Sequence, residues 1–346
     1  MPAIKNTVVI FREDPGQGWV EEKHMEVVHK DFDPDTVEIK PENVLVKTLF
    51  LSLDPYMRMR MATGAKSYIH PFQIGEPLQG TAVAEVYRAA EGSKLQKGDL
   101  VVGMVDWAEW TIVSEKGLTK VEKKADVPLS YFLGILGMPG YTAYAGLEKI
   151  GEPKAGETVY VSGAAGAVGL VVGQIAKAKG CRVIGSAGSD DKVKLLLEEA
   201  NFDAAFNYKT VKSYTDALKE HCPKGIDVYW DNVGGEMLDA VLPLMNAHGR
   251  IPVCGAISQY NASEPYGVKN LSMLIKSKLK LQGFIVGDYY ADRELYQRFQ
   301  QEIVQWIKEK KIVYKEHVDE GIASAPSAFV GMLKGRNTGK QIVKVV

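Results

Sequence analysis

The stretch from residue 158 to residue 191 constrains the fold more than any other part of the chain. It begins with a short apolar run, Val159 to Ser162, whose β-branched residues favour a strand. Three glycines follow at three-residue spacing, namely Gly163, Gly166 and Gly169. An apolar helical segment then extends to Lys179, and a second apolar run, Arg182 to Ser186, comes after it. Strand, glycine turn, helix and strand in this order predict one βαβ unit.

The glycine turn of this unit has the features of a dinucleotide-binding site. Its spacing is G-x-x-G-x-x-G rather than the strict G-x-G-x-x-G, but each glycine keeps a physical role. These roles are a tight exit from the strand, close approach of the backbone to a pyrophosphate, and close packing of helix on sheet. The first N–H groups of the helix would face the phosphates. Because glycine turns also occur as purely structural features, it is the complete βαβ unit that favours dinucleotide binding.

The end of the second strand indicates which dinucleotide is bound. A site that prefers NAD places an Asp or Glu about 20 residues beyond the glycines, where the carboxylate accepts from the ribose 2′-hydroxyl. This chain has Ala187, Gly188 and Ser189 at that point, and Lys192 follows. Asp190 and Asp191 lie between Ser189 and Lys192. Because these two aspartates precede a segment with helical apolar periodicity, they are interpreted as the first turn of a helix. The missing acid favours NADP(H), although a solvated helix lysine is the competing interpretation of Lys192.

The whole chain is long enough for two domains and carries almost no net charge. With 346 residues and a formal charge of -1, it gives no electrostatic reason to expect nucleic acid or a membrane surface as a partner. No apolar run could span a bilayer and the start lacks a signal-peptide core, so we expect a cytoplasmic location. The three scattered cysteines, Cys181, Cys222 and Cys254, are expected to be reduced and structural.

From Lys5 to about Ser130 the chain consists of short β-rich runs separated by turns, which predicts a partly barrel-like domain. The predicted strands are 7–11, 25–29, 44–53, 80–87, 99–105 and 108–113. Periodicity fails between Leu53 and Pro77, and loops this long inside compact domains are usually functional or disordered. The aromatic and methionine side chains of this segment either line a pocket or pack locally. They are Tyr56, Met57, Met59, Tyr68 and Phe72.

After an apolar segment from Leu129 to Ile150, strands alternate with helices. Beyond the first βαβ unit the predicted strands are 204–208, 227–231, 250–254 and 281–286, and the predicted helices are 212–221, 236–246 and 268–278. Six strands alternating with helices predict an α/β fold with a doubly wound parallel Rossmann sheet. A helix over 293–310, a further strand, a helix over 325–333 and a closing strand over 341–345 follow. We expect a β-rich domain of residues 1–130 and 295–346 and a dinucleotide-binding domain of residues 131–294.

Eight segments spread over nearly the whole chain carry a family resemblance. They are LSLDPYMRMRM at 51–61, ILGMPGYTAYAGL at 135–147, VYVSGAAGAVG at 159–169, GSAGSDDKV at 185–193, FNYK at 206–209, DNVGGEMLDAVLP at 231–243, GRIPVCGAISQYN at 249–261 and GRNTGKQIV at 335–343. The chain resembles the zinc-independent medium-chain dehydrogenases/reductases, specifically the NADP(H)-dependent alkenal and enone double-bond reductases, with 15-oxoprostaglandin reductases as relatives. The resemblance implies a GroES-like catalytic domain beside the Rossmann domain.

The chain lacks the zinc ligands of the metal-dependent members of the wider superfamily. It has no cysteine before Cys181, and His24 and His29 are five residues apart in a predicted strand, where they would point to opposite faces. No metal is therefore expected. Without one, a carbonyl has to be polarised by hydrogen bonds, which suits reduction of a C=C bond conjugated to that carbonyl.

The resemblance implies two catalytic tyrosines. Tyr260 would donate a hydrogen bond to the carbonyl oxygen, where charge develops as an enolate when hydride adds to the β-carbon. A buried phenol satisfied by backbone is the alternative for Tyr260, and the α-carbon proton would come from it or from water. Tyr56 would be a second pocket tyrosine. Relatives often carry Gly-Tyr-Gly where this chain has Gly80-Thr81-Ala82, so Thr81 would enlarge the substrate pocket or remove a hydrogen-bond donor.

The resemblance also implies a set of NADP(H) contacts. Lys192 and Tyr208 would bind the 2′-phosphate, Asn232 would lie near the ribose, and residues 284–286 would lie near the nicotinamide. Asn337 would lie near the phosphates and tie the two domains together, although a simple turn asparagine is the alternative. The full expected set is Gly163, Gly166, Ala167, Val168, Gly169, Gly188, Lys192, Tyr208, Asn232, Cys254, Ser258, Tyr260, Phe284, Ile285, Val286 and Asn337.

Together these features predict NADPH-dependent, metal-free reduction of the C=C bond of α,β-unsaturated aldehydes and ketones. An NADPH:quinone reductase of the same fold and a non-catalytic NADPH-binding protein are the alternatives. The expected partner is a small unsaturated carbonyl compound. Relatives are commonly homodimers joined through their cofactor domains, so the resemblance implies a homodimer here.

Overall fold

The structure is a computed structural model that describes residues 4–62, 64, 67–123 and 127–346. The chain divides into two units. Unit 1 comprises Met1–Leu133, Glu316–Asn337 and Gln341–Val346, and unit 2 comprises Gly134–Lys315 and Thr338–Lys340. None of the helices among the described residues is long and apolar enough to cross a membrane.

The strands and helices are numbered in chain order. The strands are β1 (Ile4–Phe11), β2 (Met25–Phe32), β3 (Asn43–Ser52), β4 (Gln79–Ala89), β5 (Leu100–Asp106), β6 (Trp110–Ser114), β7 (Leu118–Lys120), β8 (Thr158–Val161), β9 (Arg182–Ala187), β10 (Ala204–Asn207), β11 (Ile226–Trp230), β12 (Met245–Val253), β13 (Lys280–Gly283), β14 (Glu316–Glu320) and β15 (Lys340–Lys344). The helices are α1 (Met57–Arg60), α2 (Met138–Gly146), α3 (Gly169–Ala178), α4 (Asp190–Glu198), α5 (Tyr214–His221), α6 (Gly235–Val241), α7 (Met273–Lys276), α8 (Arg293–Lys308) and α9 (Ala325–Leu333).

Unit 1 is the predicted β-rich domain. Its seven-stranded sheet has the order β14-β15-β3-β4-β5-β7, with β6 also paired to β3, and β1 pairs with β2 in a separate antiparallel ribbon. The closing strand β15 pairs with β3 in this sheet, where Ile342 lies opposite Ser52 and Lys344 opposite Phe50. Beneath the sheet, the buried rings of Trp107 and Phe329 meet edge to face with centroids 5.8 Å apart.

The irregular segment between β3 and β4 is held by two buried arginines. Arg58 donates to the carbonyl oxygens of Gly16 and Gly18 over 2.7 and 3.2 Å. Arg60 donates to the carbonyl oxygen of His70 over 3.0 Å, and its guanidinium lies 4.0 Å from the ring centroid of Phe72. Packing therefore explains part of this segment's composition, because Met57 and Phe72 belong to the core, whereas Tyr56 is only partly buried and Tyr68 is exposed.

Unit 2 contains the predicted doubly wound sheet. Its six strands have the order β10-β9-β8-β11-β12-β13 and every adjacent pair is parallel. All four residues of β8 are buried, as expected for a central strand covered on both faces. The tyrosines of β8 and β11, Tyr160 and Tyr229, stack with centroids 5.2 Å apart. The α/β fold with a doubly wound parallel Rossmann sheet, predicted from six strands alternating with helices, is confirmed.

Two predicted helices of unit 2 are shorter in the structure. The segment 268–278 contains only the four residues of α7, because Asp239 accepts the N–H groups of Lys269 and Asn270 over 2.9 and 2.8 Å and so holds them in a loop. The helix predicted to reach residue 246 ends at Val241, and Met245 already begins β12. Pro243 occupies the intervening 3-10 turn and cannot continue an α-helical ladder.

Helix α8 belongs to unit 2, which moves the second boundary from the expected residue 295 to residue 315. The reason is its packing against α2. The ring of Phe299 lies 5.1 Å from that of Tyr141, and Gln300 donates to the carbonyl oxygen of Leu136 over 2.9 Å. The first boundary, expected at residue 130, falls after Leu133.

Candidate active site

The turn between β8 and α3 shows why its glycines are needed. Gly163 has a φ of +59°, and its carbonyl oxygen accepts the N–H of Gly166 over 3.1 Å. A Cβ on Gly169 would lie 2.5 Å from the Gly163 oxygen, so no larger residue fits where α3 begins. The 338–340 segment of unit 2 braces this turn, because Gly339 donates its N–H to the carbonyl oxygen of Ala165 over 2.9 Å.

The start of α3 suits an anionic group. The first N–H groups of any helix have no acceptor one turn earlier within that helix, and the helix dipole adds positive potential there. Helix α3 begins at Gly169, with Val168 as its N-cap and Ala167 directly before it. The N–H groups of Leu170 and Val171 donate back to the turn, to the carbonyl oxygens of Gly166 and Val168, each over 3.1 Å. The turn and the helix start together fit the pyrophosphate of a dinucleotide.

A basic patch follows the ends of β9 and β10. Lys192 is buried, and its desolvation, together with the charge of Lys209, lowers the pKa of its ammonium group. Tyr208 lies against Gly188, where a Cβ would meet the phenol oxygen at 2.8 Å. The ammonium nitrogen of Lys209 lies 6.0 Å from the centroid of the Tyr208 ring. Lys209 thus lies beside Tyr208, and its charge acts on Lys192. That Lys192 and Tyr208 bind the 2′-phosphate remains a prediction.

The aspartate that begins α4 next to this patch is hydrogen-bonded to the end of β10. As the sequence predicted, α4 begins at Asp190, and its N-cap Ser189 accepts the backbone N–H of Lys192 through its hydroxyl. The carboxylate of Asp190 accepts from the side-chain amide of Asn207 over 2.8 Å. The position where an NAD-preferring site carries its acid remains Ala187 and Gly188, so the patch keeps its positive character.

Lys209 belongs to this patch but was not predicted from the sequence. The signal was present, because Lys209 follows Tyr208 directly at the carboxyl end of a parallel strand, where ligands of such sheets bind. In an extended segment, neighbouring side chains point to opposite faces. The sequence alone therefore argues against both Tyr208 and Lys209 contacting one ligand. After β10 ends at Asn207 the chain turns, and Lys209 lies beside Tyr208 instead.

The side chain of Asn232 acts as a brace between strand ends. Its amide nitrogen donates to the carbonyl oxygen of Ser162 over 2.7 Å, and its amide oxygen accepts from the indole of Trp230 over 3.1 Å. Asn232 thus lies at the carboxyl ends of β8 and β11, where the ribose contact was expected. Sequence reasoning did not show that both polar atoms of its side chain would be engaged within the protein.

Tyr260 lies in the loop after β12, together with Cys254 and Ser258. The phenol oxygen of Tyr260 accepts the backbone N–H of Ala256 over 3.2 Å, and a Cβ on Gly255 would lie 3.1 Å from that oxygen. Ser258 donates its hydroxyl to the carbonyl oxygen of Val233 over 2.7 Å. Burial raises the pKa of the Cys254 thiol to about 12, and the charge of Asp231 acts in the same direction. This thiol is protonated near neutral pH.

The segment expected near the nicotinamide follows the edge strand β13. Phe284 packs edge to face on Trp230 with centroids 5.8 Å apart. Ile285 is exposed, and Val286 is buried at the start of a 3-10 turn. Unit 2 therefore brings the turn after β8 and the residues after β9, β10, β11, β12 and β13 to the carboxyl end of one sheet.

Three expected site residues belong to unit 1. Tyr56 precedes α1, and burial, with a smaller contribution from Asp54, raises the pKa of its phenol well above the ordinary value. Thr81 is partly buried in β4, where it pairs with Met104 of β5. Asn337 lies between α9 and β15. The roles of all three remain predictions.

The two histidines considered as metal ligands do not share a strand. His24 ends a 3-10 turn before β2 and accepts the N–H of Glu21 at Nδ1 over 2.9 Å, whereas His29 lies within β2. The prediction that both belong to one strand is wrong, because the capping interaction with Glu21 closes the turn first. Across residues 4–62, 64, 67–123 and 127–346, no group of three His, Cys, Asp or Glu side chains could hold a metal ion.

Comparison with known proteins gives matches along almost the whole chain. A family model described as the N-terminal domain of oxidoreductase matches residues 9–121, and one described as zinc-binding dehydrogenase matches residues 167–309. The NADP(+)-dependent 2-alkenal reductase of Nicotiana tabacum is 50% identical over 95% of this chain and 94% of its own. The (+)-pulegone reductase of Mentha piperita is 48% identical over 87% of both chains. The crystal structure of CurA from Vibrio vulnificus in complex with NADPH superposes with a TM-score of 0.90 at 38% identity, covering 98% of this chain and 99% of the other.

Proposed function

The chain belongs to the zinc-independent medium-chain dehydrogenase/reductase family, in the branch of the NADP-dependent double-bond reductases, and from this we propose that it reduces the C=C bond of α,β-unsaturated aldehydes and ketones. It is an oxidoreductase that uses NADP(H). The observation that carries the proposal is the carboxyl end of the sheet in unit 2, where a glycine turn with no room for a Cβ at Gly169 lies at the same sheet end as a basic patch made by Lys192 and Lys209.

The cofactor fits the residues present. The turn from Gly163 to Gly169 would hold the pyrophosphate, and Lys192, Tyr208 and Lys209 would hold the 2′-phosphate. Main-chain groups after β11 and β13 would line the ribose and nicotinamide. Bound NADPH supplies the hydride that adds to the β-carbon of the substrate.

We assign the stabilisation of the developing enolate to Tyr260. Its hydroxyl would donate a hydrogen bond to the substrate's carbonyl oxygen, where negative charge grows. The N–H of Ala256 orients the phenol, because it donates to the phenol oxygen and thereby restricts the direction of the O–H bond. Tyr56 and Thr81 would contribute to the substrate pocket, with the partly buried phenol of Tyr56 remaining protonated because burial raises its pKa.

We further propose that two copies of the chain associate through the cofactor unit. Among the described residues, β13 is the last strand of its sheet, so one edge is open to a second copy. Large apolar side chains are exposed on β13 and on the segments directly before and after it in sequence: Leu271, Ile275, Leu281 and Ile285, of which Ile275 is 85% exposed. Such a patch beside an open strand edge fits a self-complementary contact.

The reaction is tested by NADPH oxidation with an alkenal, a benzylidene ketone and a quinone, with identification of each product. We expect saturated aldehyde and ketone, with the carbonyl retained. Turnover of the quinone alone would replace the proposal with a quinone reductase, and tight NADPH binding without turnover would identify a binding protein.

The role of Tyr260 is tested in the same assay. Tyr260→Phe removes the hydroxyl donor, so we expect kcat to fall by about 10²- to 10³-fold, as for other oxyanion donors, while NADPH affinity stays close to that of the wild type. Unchanged kcat in this variant would remove Tyr260 from the mechanism.

A further inference from the structure

The carboxylate of Asp231, the residue directly after β11, is completely buried. One of its oxygens, Oδ1, accepts the N–H groups of Val233 and Gly234 over 2.9 and 2.8 Å. The same oxygen accepts the hydroxyl of Tyr229 over 2.7 Å and that of Ser162 over 3.4 Å. A single atom therefore fixes the turn after β11 and ties it to the end of the neighbouring strand β8.

This turn is hydrogen-bonded to the 254–260 loop, which follows β12. The carbonyl oxygen of Asp231 accepts the N–H groups of Cys254 and Gly255 over 2.9 and 3.1 Å. The next two carbonyl oxygens along the turn accept the N–H groups of Ile257 and Ser258 over 3.1 and 3.2 Å. Four successive links thus set the path of the 254–260 loop on a turn that the Asp231 carboxylate holds.

The phenol of Tyr260 lies at the end of this loop and depends on its path. The N–H that it accepts belongs to Ala256, which is located between the linked residues. Gly234, whose N–H is held by Asp231, has a φ of +67°, and a Cβ there would lie 2.9 Å from the Cβ of Ala256. A shift of the turn would therefore move Ala256, and with it the hydrogen bond that orients Tyr260.

The distribution of hydrogen bonds on Asp231 is uneven. Its other oxygen, Oδ2, is buried and accepts no hydrogen bond from the described residues. A buried carboxylate is costly, and an oxygen without a donor adds to that cost. Burial raises the pKa of this carboxyl group, which is consistent with that cost. The turn therefore needs only one acceptor atom at this position, the one that Oδ1 supplies. An asparagine side chain has the same shape and carries one such oxygen.

We propose that Asp231 is a positioning residue for Tyr260: its Oδ1 fixes the turn of residues 232–234, which holds the 254–260 loop and the phenol at its end. The proposal rests on the assignment of Tyr260 under the proposed function. Asp231 would position Tyr260 through the main-chain geometry of the turn and the loop, without itself contacting cofactor or substrate.

Two substitutions of Asp231 and one matched control separate positioning from general stability. Asp231→Ala removes the acceptor, and Asp231→Asn retains it. Asp227→Ala is the control, because Asp227 lies at the opposite end of β11 and makes comparable cross-strand bonds. Its carboxylate accepts from the N–H of Thr158 and the amide of Asn246, both over 2.8 Å. Should Asp231→Ala be too unstable to purify, Asp231→Ser, whose hydroxyl accepts from following N–H groups more weakly than a carboxylate does, takes its place.

The first readout is amide hydrogen exchange of the protein without cofactor. We expect exchange of residues 254–260 to accelerate in Asp231→Ala but to remain at the wild-type rate in Asp231→Asn and in Asp227→Ala. Unchanged exchange of this loop in Asp231→Ala would overturn the proposal whether or not Tyr260 is catalytic.

The second readout is a double-mutant cycle with Tyr260→Phe. If Asp231 acts through the phenol, Asp231→Ala lowers kcat by about 10- to 100-fold in the wild type, as expected for a misplaced catalytic group, but far less in the Tyr260→Phe background. Equal losses in both backgrounds would contradict the proposal. If Tyr260→Phe alone leaves kcat unchanged, it is the catalytic assignment of Tyr260 that fails. The exchange data then still show whether Asp231 restrains the 254–260 loop.

Discussion

The side-chain amide of Asn207 donates a hydrogen bond to Oδ1 of Asp190 over 2.8 Å, which directs this carboxylate toward β10. With that carboxylate engaged, the ends of β9 and β10 present Lys192 and Lys209 without a competing acid from Asp190. Discrimination between NADPH and NADH should therefore depend on these two cations.

We expect Lys192→Ala to weaken NADPH binding by about 10- to 100-fold, the loss of one buried charge-assisted hydrogen bond, and to affect NADH far less. Lys209 is exposed, so Lys209→Ala should weaken NADPH by roughly 2- to 5-fold. Fluorescence titration with both nucleotides measures these changes. Lys194→Ala is the control, since Lys194 is exposed on the same helix and pairs with Glu198. Equal weakening of NADPH and NADH in Lys192→Ala would show that the patch does not bind the 2′-phosphate.

The glycine at the start of α3 should be irreplaceable. In Gly169→Ala the new Cβ would lie 2.5 Å from the carbonyl oxygen of Gly163 and 2.8 Å from the α-carbon of Ala164, and both are backbone atoms. We expect the free energy of unfolding to fall by about 1–3 kcal/mol, as for overpacked sites, and NADPH affinity to fall with it.

Thermal unfolding and nucleotide titration test this prediction for Gly169. Gly267→Ala is the control, because a Cβ there would meet no atom within 4 Å. If Gly169→Ala matched the wild type in both measurements, the close contact between turn and helix would not restrict this position.

The βαβ unit could be predicted from sequence because its signals are local. The glycines, the apolar runs and the capping serine each act within a few residues, and the strands β8 and β9 and the helices α3 and α4 follow them closely. The segment 268–278 was predicted as a helix for the same reason, but a distant carboxylate, Asp239, takes the N–H groups that would have started it. A local sequence pattern does not reveal an acceptor for these N–H groups that is distant in the chain.

The polar contacts of the site could be predicted only in part. Lys192 was indicated by its place after the missing acid and Tyr208 by the family resemblance, whereas Lys209 and Asp231 lie in matched segments, 206–209 and 231–243, that gave neither residue a role. The importance of Asp231 depends on N–H groups of its own turn and on the hydroxyls of Tyr229 and Ser162, which only the folded sheet brings together. A single aspartate after a strand has no sequence signal that distinguishes it from a surface residue.

The open edge of the cofactor unit should determine the oligomeric state. Ile275 is 85% exposed, so a charged residue there costs little in the isolated chain but would be buried and unpaired in a contact between two copies. We expect the wild type to be a dimer and Ile275→Glu to be a monomer with unchanged circular dichroism, measured by light scattering after size-exclusion chromatography. Val318→Glu, an exposed apolar position in unit 1, is the control. A wild type that is monomeric at all concentrations would contradict the dimer proposal.

The ion pair between Glu157 and Arg250 should make the stability of unit 2 depend on acid pH. The two side chains form a bidentate pair with N–O distances of 2.9 and 2.6 Å, and the N–H of Lys154 donates to the same carboxylate over 2.8 Å. Burial alone raises the pKa of Glu157, but these hydrogen bonds and the charge of Arg250 outweigh it and leave the pKa below the ordinary value. A lowered pKa means that the stabilisation is complete above the unfolded-state pKa and is lost as the pH falls through the folded-state value.

We therefore expect Glu157→Gln to lower the free energy of unfolding by about 1–2 kcal/mol near neutral pH, where the wild-type carboxylate is charged. The difference between variant and wild type should stay constant from about pH 6 to 8 and shrink below about pH 4, because the unfolded carboxyl titrates near 4.3. Chemical denaturation across this pH range measures it. Glu198→Gln, which breaks an exposed pair with Lys194 at 3.9 Å, should change stability little at any pH. A difference for Glu157→Gln that persists undiminished at pH 3 would show that the lost stability comes from packing rather than from the charge of the pair.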